Sequence, residues 1–391
     1  MNNSARRSIA PSVLSCCTRC KKSCCAICRI SFPTTPIMSK LTAKIVYRLY
    51  HRSRRHSQPR WAHLADQGAR RPVGYRAQIR ALRQLRYALS LLPVTCEKFR
   101  FGVIGIVGES RKQWQAKARR AEELGYSTFL CWDHFDYALA PLPALLCAAA
   151  ATERIRLGTL VLANDFRHPA VLAKDAATLD LLSEGRLELG IGAGWKESEY
   201  REAGIAFDAP AVRVRRLAES VAIIKQLWRG KPVQFKGEFY EIDGLVNKPR
   251  LYQHPHPPLV IGGARPQLLA LAAREANTIA LATRMNADGS PDFVDSLGPR
   301  VAAKVAYVRE QAGERADTLE FQINVGGVIV TPDRAATAEQ LAPTVGLSAA
   351  QLLDCAQALV GSEDEIVADL VERRERWASP TSALTSASWT R

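Results

Sequence analysis

From residue 99 onward the chain alternates between short apolar runs and stretches of helical text. Strand-like runs fall at Phe99–Ile106, Thr128–Trp132, Ile155–Leu162, Leu187–Ile191, Leu259–Ile261, Thr278–Leu281 and Phe321–Val330. Helical text lies between them, for example at Arg111–Leu124, Pro169–Ser183, Val212–Trp228, Pro266–Glu275, Leu297–Ala312 and Gln357–Trp377. Such alternation argues for parallel strands with helical crossovers. A span of about 280 residues suits one closed (β/α)8 barrel, for which about 250 is typical. An open dinucleotide-binding sheet is the competitor, but Trp195 stands where the third glycine of its Gly-x-Gly-x-x-Gly fingerprint belongs. An α/β TIM barrel is expected.

The densest stretch is residues 157–204. Pro169 suits the first position of a helix, where a missing N–H costs nothing. Gly185 offers the left-handed residue that ends that helix. Leu187, Leu189 and Ile191 then form an apolar strand, and Gly192, Ala193 and Gly194 let backbone approach a ligand above its end. A strand, a glycine loop and a helix start present free N–H groups to an anion. Gly262, Gly263, Ala264 and Arg265 repeat that logic ahead of Pro266, and Arg265 is suited to pair bidentately with a phosphate.

Barrel enzymes act at the carboxyl ends of their strands. Asp133 and His134 sit at one such end, and histidine's ordinary titration range suits proton transfer there. Asn164 and Asp165 are polar groups at the end of another, whereas Arg167, His168 and Pro169 read as the start of a helix. Residues 230–258 interrupt the alternation with a hairpin around Lys236 and Gly237 and a Pro- and His-rich loop. Insertions of this kind either shape a substrate pocket or run over the surface.

The segment GTLVLANDFRHPAVLAKDAATLDLLSEGRLELGIGAGW resembles the signature of luciferase-like oxidoreductases, closest to the branch that uses the deazaflavin coenzyme F420. The resemblance covers roughly residues 98–377. It implies hydride transfer between F420 and a small organic substrate, with an FMN-dependent monooxygenase of the same fold as the alternative. It implies that His134 lies against the deazaflavin ring, with Asp133 beside it and Asn164 as a ring contact. Leu160 and Val161 align with a non-prolyl cis peptide behind the ring. Gly192–Gly194 and the loop of Gly262, Gly263, Ala264 and Arg265 are implied to hold the phosphate-bearing tail. Sugar-phosphate dehydrogenases of the family carry a glutamate where this chain has Trp195, which implies a more apolar substrate face. The resemblance also mildly favours a homodimer.

Charge divides the chain. Residues 1–93 hold 19 Lys or Arg against one acid, Asp66, whereas the remainder holds 35 basic and 37 acidic residues. The enzyme-like part therefore gives no electrostatic case for nucleic acid. Cys16, Cys17, Cys20, Cys24, Cys25 and Cys28 cluster in the basic part with zinc-like pairs, but without a nearby histidine or room for a fold, so no metal site is expected. Cys96, Cys131, Cys147 and Cys355 are isolated, as reduced thiols of a cytoplasmic enzyme are. No apolar run approaches the 18 residues of a membrane span.

The ends depart from the barrel pattern. Residues 1–93 read as a structureless extension or a mis-assigned start, with translation beginning at Val94. Residues 378–391 lack the period of the expected final strand and helix, and a one-base shift after Trp377 can encode strand-like text. The expected domain is thus 94–377, lacking its last strand and helix, and an inactive truncated copy is a further possible reading. No Gly-x-Ser-x-Gly elbow, His-Glu-x-x-His pair or Walker lysine loop occurs in the sequence.

Overall fold

The computed structural model describes residues 28–31, 99–105, 110–136, 139–286, 289–378 and 386–388. Its main sheet is parallel throughout and closes on itself. Strands β2 (Phe99–Gly105), β3 (Thr128–Cys131), β4 (Arg156–Thr159), β6 (Leu187–Gly192), β9 (Leu259–Gly263), β10 (Thr278–Leu281) and β11 (Glu320–Val325) follow one another around it. The slot between β11 and β2, where a single strand was expected to be missing, holds two short ones. β14 (Ser386–Ser388) pairs with Gly102–Ile104 and with Asn324 and Val325. β1 (Cys28–Ser31) pairs with Phe99–Gly102 and with Gln322. The two segments thereby give partners to edge groups that would otherwise be open for pairing. The rest of residues 1–98, including the other clustered cysteines, the basic run and Val94, lies outside the described residues.

Alternation within β6 explains how the barrel is filled. Leu187, Leu189 and Ile191 join the core shared with the helices, while Glu188, Gly190 and Gly192 face the barrel centre. At the amino ends that centre is ionic. Glu188 and Glu320 both bind Arg100, Glu188 also binds Arg156 at 2.5 Å, and Thr278 Oγ1 donates to Glu320 at 3.0 Å. Buried charge persists in such a place only when paired. Toward the carboxyl ends the same face of β6 carries Gly190 and Gly192, against which Val161 packs.

The helices form where their end signals stand. Helix α3 (Pro169–Leu182) has Pro169 at its start, and its cap His168 accepts from the Ala170 N–H through Nδ1 at 3.3 Å. It ends through left-handed Glu184 and Gly185. Two sequence expectations are corrected. The run Phe321–Val330 breaks at Gly326, where the chain leaves the barrel, and β12 (Gly327–Val330) pairs with β13 (Ala358–Gly361) in a separate two-stranded sheet. The text from Gln357 to Trp377 is therefore not all helix. Helix α10 (Glu363–Ala378) starts only after Ser362, whose N–H donates to the Glu365 carboxylate at 2.7 Å.

One carboxylate ties the first barrel helix to the segment that leads into β4. Glu122, in α1 (Arg111–Glu123), accepts three N–H bonds from Glu153, Arg154 and Ile155 at 2.8–3.0 Å. Burial raises its pKa, but those bonds and Arg154 outweigh burial and hold it below the ordinary carboxylate value. A depressed folded-state pKa contributes stability above the unfolded value, and that stability is lost as pH falls through the folded one. Glu122→Gln is therefore expected to lower Tm by about 2–4 °C at pH 7. In thermal melts the difference from wild type should begin to shrink as pH falls below the unfolded glutamate value of about 4.3 and vanish only below the depressed folded-state value.

Candidate active site

Four loops at the carboxyl ends of β3, β4, β6 and β9 build the site. The loop after β3 carries Asp133, His134 and Asp136. His134 Nδ1 lies 3.0 and 3.1 Å from the two carboxylate oxygens of Glu199. Glu199 comes from the short helix α4 (Glu197–Glu202) after the glycine loop, is 4% exposed, and also accepts from Lys196 Nζ and the Phe135 N–H. A carboxylate only accepts, so Nδ1 carries the proton and Nε2 is the basic atom of the neutral ring. Trp132 and Trp195 stand edge-on to the imidazole, their centroids at 6.2 and 5.7 Å.

Lys196 joins the two loops. Its ammonium binds Asp136 at 2.5 Å and Glu199 at 3.1 Å. Burial opposes its charge, yet the two carboxylates keep its pKa above the ordinary lysine value, and the ammonium in turn outweighs burial at Asp136 and draws that carboxyl below the ordinary aspartate value. His134, Asp136 and Glu199 place ligand atoms within 4.8 Å of one another, the spacing of a metal cluster. Here that spacing is already served by the lysine cation.

Asp133 works differently. Its carboxylate takes both Arg167 NH groups, at 2.6 and 2.8 Å, and accepts the Ala163 N–H at 2.9 Å. Arg167, read from sequence as a mere helix start, thus fixes the end of β3 to the loop after β4. Arg167→Leu leaves a buried carboxylate without its cation, a loss of about 3 kcal/mol at the low end for broken buried pairs. Denaturant midpoints should show it, and an unchanged midpoint would contradict this role.

The peptide between Leu160 and Val161 is cis, at the position the resemblance marks. Val161 rises over the barrel centre and rests on glycines. A Cβ added at Gly192 would sit 2.8 Å from Val161 Cγ2, and one at Gly262 would sit 3.2 Å away. Asn164 is buried, and its amide reaches Asp165 at 3.2 Å and Tyr240 Oη at 3.5 Å. Tyr240 lies in the hairpin of β7 (Val233–Lys236) and β8 (Glu241–Leu245), so the insertion reaches the site.

The two glycine loops prove unlike. Gly194 has φ +74°, and any Cβ there would overlap the buried Tyr200 hydroxyl. Burial and the Asp165 carboxylate push that phenol's pKa well up. Arg213 donates to the carbonyls of Ala193 and Gly194 from beneath, and the first turn of α4 carries Glu197 and Glu199. Carboxylates in that turn already use the positive end of the helix, so an anion is poorly served there. Of Gly192, Ala193 and Gly194, the first lies under Val161 and the last lies against Tyr200. The loop Gly262–Arg265 fits an anion better. Helix α6 (Pro266–Glu275) starts with no side-chain cap and no acid in its first turn, and Arg265 is exposed without an ion pair among the described residues.

Comparison with known proteins gives these features a family. The luciferase-like monooxygenase family model matches residues 98–387, and the chain belongs to that family. It is 36% identical over 210 residues to an F420-dependent glucose-6-phosphate dehydrogenase of Nakamurella multipartita, covering 51% of this chain and 58% of that one. It is 35% identical over 133 residues to the oxygenase component of a flavin-dependent trigonelline monooxygenase of Acinetobacter baylyi, covering 34% and 36%. The chain thus spans well under two thirds of the length of these relatives. Among solved structures, it is similar to the monooxygenase RslO1 of Streptomyces bottropensis, with TM-score 0.54, 25% identity and coverage of 73% and 92%. The coenzyme F420-dependent tetrahydromethanopterin reductase of Methanopyrus kandleri shares the fold, with TM-score 0.58, 20% identity and coverage of 74% and 92%. No helix among the described residues is long and apolar enough to cross a membrane.

Proposed function

We propose that this chain is an oxidoreductase that exchanges a hydride between coenzyme F420 and a small organic molecule. The observation that carries the reading is the His134–Glu199 pair at the barrel mouth, beside Val161 on its glycine floor. When bound, F420 supplies or accepts the hydride. The chain's own residues orient and protect. Val161, Gly192 and Gly262 offer a flat, tight floor for the ring, and Asn164 sits at its margin. Gly262, Gly263, Ala264 and Arg265 at the start of α6 hold the phosphate-bearing tail through N–H groups and a guanidinium. His134 exchanges the matching proton with substrate through Nε2, while Glu199 keeps the other ring nitrogen protonated.

A paired equilibrium titration of the full chain with F420 and FMN tests the reading. F420 is expected to bind at least tenfold more tightly, and Arg265→Ala to weaken F420 but not its phosphate-free deazaflavin riboside. A preference for FMN would favour the second reading, a flavin-dependent monooxygenase, which the similarity to the trigonelline enzyme and to RslO1 supports. Binding of neither cofactor would sink both readings.

A further inference from the structure

Next to His134, the described cations Arg167 and Lys196 are both engaged. Arg167 spends both terminal NH groups on Asp133, and Lys196 is shared by Asp136 and Glu199. Three carboxylates thus face two cations around His134, a balance that repels an anion approaching the imidazole. The remaining surface is aromatic. Phe135 is 62% exposed and packs 4.9 Å from Phe166, while Trp195 is 44% exposed on the other side of His134. Exposed large rings gathered at one mouth mark a binding surface more often than chance exposure does.

A cavity of about 210 Å³ opens there, walled on one side by Phe135, Phe166, Ala140 and Pro141 and on the other by His134 and the Asp133–Arg167 pair. Apolar cavities of about 150 Å³ hold benzene. Its volume matches a single ring with a short substituent, and the one arginine in its described lining, Arg167, is already held by Asp133.

We propose that the substrate is an uncharged, flat, largely apolar molecule of one ring, whose oxygen meets His134, and that Trp195 selects it over sugar phosphates. The proposal rests on the oxidoreductase reading and narrows it. It separates this chain from relatives named for glucose 6-phosphate. Trp195 supplies an apolar wall beside the imidazole, where a carboxylate would have to be desolvated against an apolar ring.

Ligand-observed saturation-transfer NMR on the full chain tests this without requiring turnover. The probes are acetophenone and glucose 6-phosphate, each with and without F420. Acetophenone is expected to bind, with an affinity that stays within twofold between 50 and 500 mM salt. Glucose 6-phosphate is expected not to bind at the same concentration. Trp195→Phe should keep acetophenone affinity within about threefold, and Trp195→Glu should lower it at least tenfold. Should Trp195→Glu fail to fold, the salt series and the Trp195→Leu variant, expected to weaken binding about threefold to fivefold, carry the decision. Binding of the sugar phosphate, or of neither probe, overturns the proposal. An F420 titration of the same samples shows separately whether the cofactor reading stands.

Discussion

Glu199→Gln is expected to lower turnover by about 10²–10³-fold, the usual range for a disturbed general acid–base group. The carboxylate is not itself in reach of a substrate in this account. It is a positioning residue, held by the Lys196 ammonium and the Phe135 N–H and aimed at His134 Nδ1. An amide there can donate as well as accept, so it no longer enforces the tautomer with the proton on Nδ1. Two readouts separate this from mere loss of packing. In ¹⁵N-resolved spectra of the imidazole, wild type should show the Nδ1–H form, and the variant should gain the Nε2–H form. F420 affinity, by contrast, should stay within about twofold of wild type, because the carboxylate is in reach of neither substrate nor cofactor in this account. The other charges around the ring, Asp136, Lys196, Asp133 and Arg167, remain in both proteins. A variant with native spectra and full turnover would refute the pairing.

The second large effect concerns stability. Gly190 lies where β6 passes β4 inside the barrel, and Thr159 bridges the two strands. Its hydroxyl donates to the Gly190 carbonyl at 2.7 Å and accepts the Gly190 N–H at 2.8 Å. A Cβ on Gly190 would overlap the Thr159 backbone carbonyl and crowd Val161 at 3.1 Å. No rotamer relieves a clash with backbone, so the strands must part. Overpacking of this kind costs about 1–3 kcal/mol, and two disturbed hydrogen bonds add about 1 kcal/mol each. Gly190→Ala is therefore expected to lose about 3 kcal/mol or more of a total near 5–15 kcal/mol. Chemical denaturation should show an early midpoint or little soluble protein. A wild-type midpoint would mean that this crossing is looser than described.

The period-2 and period-3.6 text from Phe99 to Ala312 made the barrel legible, because buried parallel strands and amphipathic helices are local patterns. The divided strand at Gly326 and the small sheet of β12 and β13 were not. Apolar residues 358–361 run straight into helical text, and only Ser362 with Glu365 three residues on marks the boundary, a capping-box spacing. The filling of the slot by β14 was equally illegible, since Ser386–Ser388 lacks β-branched or aromatic residues and gains its place from its neighbours' unpaired groups. In the site, His134 stood out at a strand end, but Glu199 did not. Its partner is 65 residues away, and an acid near a helix start has an ordinary local explanation. Arg167 was masked in the same way by Pro169. The glycines at 192 and 262 were noticed as positions where a ligand can approach, and they also make room for Val161, which no local pattern announced.

The most direct measurement is a crystal structure of the full chain with F420 bound. The account predicts the deazaflavin ring against Val161 and beside His134, with the tail phosphate on the N–H groups of Gly263 and Ala264 and on Arg265. A ring placed away from Val161, or a phosphate seated at Gly192–Gly194 against Glu197 and Glu199, would contradict it.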